Sequence, residues 1–187
     1  SKLAQAGANV IVASRSEENG KKTVDEIVKN NGKALYCRTD VSKIEDIKNM
    51  VNFTLSHFDR IDILVNCAGI NIKKPIVEVM EEDWDKTIDI NLKGLFFCCQ
   101  QVGKVMIKQR YGKIVNIGSI QGEDVLPLRA SYIASKGGVK QLTKIFATEW
   151  AKYNININTV SPGVVKTEMA TELLNDKIWK DVLQRKT

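Results

Sequence analysis

SIQGEDVLPLRASYIASK, residues Ser119 to Lys136, is the stretch from which the fold is read. An apolar run, Lys113 to Ile117, leads into it, and an amphipathic segment begins at Ala130. The pattern predicts a strand that ends at the Ser119 hydroxyl, then a loop, then a helix. Tyr132 and Lys136, four residues apart, share one face of that helix about one turn from each other. A cation in that position favours the phenolate form of a tyrosine. Tyr132 can then exchange a proton with a carbonyl or alcohol oxygen, and Ser119 can give that oxygen a second hydrogen bond. Tyr-x-x-x-Lys by itself is a common helix-surface pair. The weight therefore falls on the company it keeps: Asn66-Cys67-Ala68-Gly69, Asn91 and Pro162-Gly163.

Outward from this stretch the same alternation runs through the chain. Helical turns over 1–6 close at Gly7, and Val10–Ala13 reads as a strand. Ser16 caps a helix from Glu17 to Asn30, with Gly32 past its end. Ala34–Thr39 is the next strand, and Ser42-x-x-Glu45 is read as a capping box opening a helix to Phe58. Ile61–Asn66 reads as a strand with apolar residues on both faces, as expected inside a covered parallel sheet. A long helix is expected over Glu81–Gln109, a strand over Ile114–Ile117, a helix over Ala130–Tyr153, a strand over Ile155–Val160 and a helix over Thr167–Gln184. Strands alternating with helices predict a single α/β domain over 1–187, built as a doubly wound parallel sheet of Rossmann-like type. Such sheets bind ligands beyond the carboxyl ends of their strands. Ser14-Arg15, Asp40, Asn66–Gly69, Ser119 and Pro162-Gly163 all fall at such ends.

Composition narrows the class. With 187 residues, 43% of them hydrophobic, the chain can bury one ordinary core. No apolar run approaches the roughly 20 residues that span a bilayer. Cysteines 37, 67, 98 and 99 have no C-x-x-C spacing and His57 is the only histidine, so neither a metal site nor a disulfide framework is expected. A reducing, cytoplasmic setting is the expectation. The net charge of +6 is spread among acids, which predicts solvated surface rather than a nucleic-acid module.

Taken together, the motifs resemble the short-chain dehydrogenase/reductase family, in family order over nearly the whole chain. The resemblance implies hydride transfer with a nicotinamide cofactor. Tyr132 would be the general acid/base, Ser119 would orient the substrate oxygen, Lys136 would assist the tyrosine and bond the nicotinamide ribose, and Asn91 would kink its helix and hold a relay water. Cofactor contacts are implied for Ser14, Arg15, Asp40, Val41, Asn66, Ala68, Gly69, Tyr132, Lys136, Pro162, Gly163, Val165 and Thr167. Cys67 stands where the family's N-N-A-G motif has its second asparagine, and is read as a small packed residue. The family also opens on a strand with a glycine-rich turn that holds pyrophosphate. None of the twelve glycines here makes such a turn, so the sheet is expected to lack its first and last family strands.

Val12-Ala13-Ser14-Arg15 carries no acid for a ribose 2′-hydroxyl, whereas an arginine there can bond a 2′-phosphate; NADP(H) is expected over NAD(H). Runs such as residues 68–75, 149–155 and 166–169 are most similar to gluconate 5-dehydrogenases, with 3-oxoacyl-[acyl-carrier-protein] reductases second. A small sugar acid such as gluconate or 5-ketogluconate is therefore the expected substrate, with Lys73 first and Arg129 second as partners for its carboxylate. A non-catalytic subunit offering only an oligomer surface is the reading from another class. Consecutive apolar residues Leu95–Cys99 and the stripe Val139, Leu142, Phe146, Trp150 point to burial between subunits of a homodimer or homotetramer. No nucleic-acid or membrane partner is expected.

Overall fold

The structure is a computed structural model and describes residues 1–122, 125–163 and 165. The elements run α1 (Lys2–Gln5), β1 (Asn9–Ser14), α2 (Glu17–Lys29), β2 (Lys33–Arg38), α3 (Ile44–Phe58), β3 (Ile63–Asn66), α4 (Glu81–Ile88), α5 (Gly94–Gln109), β4 (Gly112–Ile117), α6 (Ala130–Trp150) and β5 (Ile155–Val160). Every strand pairing is parallel. The Rossmann-like α/β reading is borne out. Strand limits move by one or two residues from those expected, which is ordinary at element ends. The helix expected over 167–184 lies outside the described residues.

Local chemistry explains most element ends. Ser16 accepts a hydrogen bond from the Asn19 N–H at 3.2 Å and caps α2 as expected. At α3 the expectation fails. The helix starts at Ile44 after Lys43, and no side chain caps it. Ser42 instead gives both its N–H (3.0 Å) and its hydroxyl (2.8 Å) to the Asp40 carboxylate. Asp40 draws Ser42 into a local turn, and the helix begins one residue later than a Ser42 cap would require. The long helix expected over Glu81–Gln109 is interrupted by a π-helical turn, Asp89–Lys93, that joins α4 to α5.

The sheet is in two pieces: β1–β2, and β3–β4–β5. A cavity of about 510 Å³ lies between them, lined from one side by Val10, Ile11 and Ala13 and from the other by Ile63, Leu64 and Val65. No described strand pairs with the facing edges of β1 and β3. For that reason Ile63 and Val65 are each 42% exposed, where a strand covered on both faces was expected.

The main core joins Val51 and Ile61 to Leu95, Cys99, Val102 and Met106 of α5, Ile114 of β4, Val139 and Phe146 of α6, and Ile155 and Ile157 of β5. The α6 stripe is largely spent inside the chain. Phe146 stacks between Phe96 and Trp150, with centroids 5.5 and 4.8 Å away, and Trp150 fills the space over Gly103. Among the described residues no helix is long and apolar enough to cross a membrane.

Candidate active site

The carboxyl ends of β3, β4 and β5 and the first turns of α6 form one rim. Ser119 leaves β4 there, and a short 3-10 turn, Ile120–Gly122, follows it. The Gly118 N–H bonds the Val160 carbonyl at 2.8 Å, and the Ile120 N–H bonds the Pro162 carbonyl at 3.3 Å. Pro162 and Gly163 therefore lie beside the Ser119 loop. Val165 is exposed. Thr167 lies outside the described residues.

Lys136 is buried in α6, and its Nζ donates to the Ile117 carbonyl at 2.7 Å while lying 5.7 Å from the Tyr132 ring centroid. Burial pulls its ammonium below the usual lysine range, and negative charge on nearby Cys67 would push the other way. Gly69 closes in from β3: a Cβ there would lie 3.4 Å from Asn91 Oδ1 and 3.7 Å from Lys136 Nζ. Four segments distant in sequence thus meet around Lys136.

Asn91, 1% exposed, sits in the π-helical turn, which aims its amide out of the helix toward the rim. Its Oδ1 accepts from the Ile70 N–H at 2.8 Å, and its Nδ2 donates to the Ile70 carbonyl at 2.9 Å and to Ser135 Oγ at 3.1 Å. Ser135 Oγ in turn donates to the Tyr132 carbonyl at 2.7 Å. Ser135 is the link that ties Asn91 to the backbone of Tyr132. Gly94 ends the turn for a steric reason. A Cβ there would fall 2.6 Å from the Val41 carbonyl oxygen, so only glycine lets α5 reach the loop after β2.

Asn66 Nδ2 donates to Asn116 Oδ1 at 2.9 Å, and Asn116 Nδ2 donates to Thr143 Oγ1 at 2.9 Å. This chain of amides and hydroxyl registers β3 against β4 and α6 from inside the core. Ala68 is exposed, and so is Cys67, which corrects its reading as a packed residue. The packed thiols are Cys37, Cys98 and Cys99, and burial pushes the last two up to about 12.

At the far end of the rim, Ser14 is held by its neighbours: Tyr36 Oη donates to its carbonyl at 2.9 Å, and its own hydroxyl donates to the Ser16 carbonyl at 2.9 Å. Arg15 is exposed there. Desolvation would raise the Asp40 carboxyl, but the two bonds from Ser42 and the positive charges of Arg15 and Lys43 outweigh it and hold the group below its usual range. Arg15 and Asp40 are thus electrostatic neighbours. The residues present fit the two ends of a dinucleotide. Arg15 offers a cation and Asp40 a carboxylate acceptor at one end, and Gly69 and Lys136 approach closely at the other.

The two candidate substrate residues stand differently. Lys73 is exposed on the loop after β3. That loop is pinned next to the entry of α6, because the Lys74 N–H bonds the Leu128 carbonyl at 3.0 Å and the Lys74 ammonium pairs with Asp83. Arg129 is 3% exposed and donates from Nη1 to Gln121 Oε1 at 3.0 Å.

Comparison with known proteins agrees with this geometry. A family model described as short chain dehydrogenase matches residues 1–178. The chain is 42% identical over 183 residues to a 3-oxoacyl-[acyl-carrier-protein] reductase of Thermotoga maritima, covering 98% of this chain and 74% of that protein. It is 39% identical over 174 residues to a 3-oxoacyl-[acyl-carrier-protein] reductase of Synechocystis, covering 92% and 70%. Among solved structures, a gluconate 5-dehydrogenase from Burkholderia cenocepacia in complex with NADP and tartrate superposes with a TM-score of 0.93 at 34% identity, covering 99% of this chain and 72% of that one. The chain belongs to the short-chain dehydrogenase family, oxidoreductases that act on CH–OH groups with NAD(P).

Proposed function

We propose that the chain carries the active site of an NADP(H)-dependent oxidoreductase interconverting a secondary alcohol and a ketone on a sugar acid, of which gluconate and 5-ketogluconate are the type. The observation that carries this reading is the meeting of Tyr132 and Lys136 with Asn91 and Gly69 at the rim of the sheet where Ser119 leaves β4. When bound, the nicotinamide supplies or accepts the hydride. The chain's own groups manage the oxygen. Ser119 donates a hydrogen bond to it, and Tyr132 gives up its hydroxyl proton as the oxygen gains charge, then takes it back in the reverse direction. Lys136, anchored on Ile117, compensates the charge left on Tyr132. Asn91 and Ser135 hold the tyrosine's helix against the β3 loop, so the geometry is set before substrate arrives.

The cofactor choice rests on Arg15, at a strand end with no acid in Val12–Arg15, and on a structural relative bound to NADP. The sugar-acid choice rests on Lys73 beside the entry of α6 and on that relative's tartrate, a hydroxy dicarboxylate. A second reading, reduction of a 3-oxoacyl thioester, is favoured by the 42% identical relative and by exposed Ile76, Val77 and Met80 on the segment after Pro75, which would suit an acyl chain. A homodimer or homotetramer in the cytoplasm fits either reading, with exposed Ile145 of α6 offering apolar surface for a second subunit.

The test is NADPH consumption by the natural-length protein with 5-ketogluconate and with a short 3-oxoacyl thioester, repeated with NADH. A higher kcat/KM for 5-ketogluconate with NADPH supports the first reading, and preference for the thioester supports the second. Inactivity toward every ketone would leave the non-catalytic subunit.

A further inference from the structure

Ser119 is followed at once by a tight turn whose central residue, Gln121, faces inward. Gln121 is 8% exposed, an unusual setting for a glutamine in a loop at the rim of a site. Its backbone N–H donates to Ser119 Oγ at 3.1 Å, and its side-chain oxygen accepts from Arg129 Nη1 at 3.0 Å. Because a guanidinium only donates, Arg129 also decides which end of the Gln121 amide turns toward it. The turn is seated on the catalytic helix itself. A Cβ on Gly122 would lie 3.2 Å from the carbonyl carbon and oxygen of Lys136, so the turn and that part of α6 are in backbone contact. Arg129 stands immediately before α6, three residues from Tyr132.

We propose that Arg129 is a positioning residue for the reacting oxygen: acting through Gln121, it holds the turn whose N–H takes one acceptor position of the Ser119 hydroxyl and so aims its proton at the substrate. The proposal rests on the assignment of Ser119 and Tyr132 given above. A serine hydroxyl has one donor and two acceptor positions. With the Gln121 N–H occupying an acceptor position, the O–H is the group left to serve a ketone oxygen, and a hydroxyl that already accepts a hydrogen bond donates a stronger one. The buried guanidinium is costly, since burial pulls it below its ordinary range while negative charge on Tyr132 opposes that shift. This role differs from carboxylate binding, which would show itself only with charged substrates.

The experiment uses the natural-length enzyme with NADPH, one charged and one uncharged ketone, and the variants Arg129→Met, Arg129→Lys and Gln121→Met, each also in a Ser119→Ala background. Misplacing a catalytic donor costs roughly ten- to a hundred-fold in rate. Arg129→Met and Gln121→Met should each lower kcat by about that factor for both ketones, with KM for NADPH unchanged and Arg129→Lys restoring part of the loss. Arg129→Met combined with Gln121→Met should be no worse than the more damaged single variant. In the Ser119→Ala background, none of these substitutions should reduce kcat further. Losses that persist in full without the serine hydroxyl, or a KM rise confined to the charged ketone, would overturn the proposal. If Arg129→Met does not fold, Gln121→Met with and without Ser119 decides alone, since its backbone N–H is retained. A wild-type enzyme inactive toward every ketone would overturn the site assignment and the positioning role with it, whereas an active wild type with additive losses would overturn the positioning role only.

Discussion

Replacing Asn91 with alanine removes three hydrogen bonds at once: two to the backbone of Ile70 and one to Ser135 Oγ. The side chain is 1% exposed and Ile70 is half-buried, so water only partly replaces the bonds that are lost. A single intramolecular hydrogen bond contributes about 1 kcal/mol net, and a buried group left without a partner costs about 1–3 kcal/mol. The Ile70 N–H and carbonyl both lose their partner. The loss of stability should therefore be about 3–5 kcal/mol, a large part of the 5–15 kcal/mol typical of a domain. In a protein of this size that corresponds to a fall in Tm of roughly 6–20 °C. Ser135→Ala, which breaks only the Asn91–Ser135–Tyr132 link, should cost about 1 kcal/mol while still lowering turnover, because Tyr132 then loses its tie to the π-helical turn. The assay is thermal and denaturant unfolding of the natural-length protein, with ketone reduction measured well below Tm. Asn91→Ala with an unchanged Tm and unchanged turnover would refute the claim that Asn91 joins the β3 loop to the catalytic helix.

Three further outcomes follow from the site. Arg15→Ala should weaken NADP(H) roughly ten- to a hundred-fold more than NAD(H), the value of a charge-assisted bond to the 2′-phosphate; equal weakening of both, measured by KM, would make the arginine structural only. Lys73→Met, which keeps the apolar stem, should raise KM for 5-ketogluconate and leave an uncharged ketone unaffected, and a parallel response of both substrates would remove Lys73 from carboxylate binding. In the folded protein at mildly alkaline pH, iodoacetamide should alkylate exposed Cys67 and spare Cys98 and Cys99, whose thiols burial pushes up to about 12. Peptide mapping that finds Cys98 or Cys99 labelled before unfolding would contradict the packing of α5.

What could be read from sequence was what local pattern determines. Apolar runs between charged helices set out β1 to β5, and Ser16 marked the start of α2 because its cap is made to a backbone group three residues on. The Ser42 capping box failed because Asp40 draws Ser42 into a local turn and the helix starts one residue later than that box requires. Cys67 was read as packed because a free cysteine is a small residue that is usually buried, while its exposure depends on what lies across the end of β3. The residues that meet at the rim were legible as motifs. The groups that hold them there were not: Gln121 with Arg129, Asn91 with Ser135, and Asn116 with Asn66 are joined only by the fold, at separations of 8 to 50 residues. No spacing rule reaches that far.

The most direct test of the account is Tyr132→Phe in the natural-length enzyme, with turnover and NADPH binding measured on the same preparation. The phenylalanine ring keeps the packing against Lys136 and deletes only the proton that the mechanism moves. The account predicts a fall in kcat of roughly a hundred- to ten-thousand-fold with NADPH affinity preserved. Turnover equal to that of the wild type would contradict it.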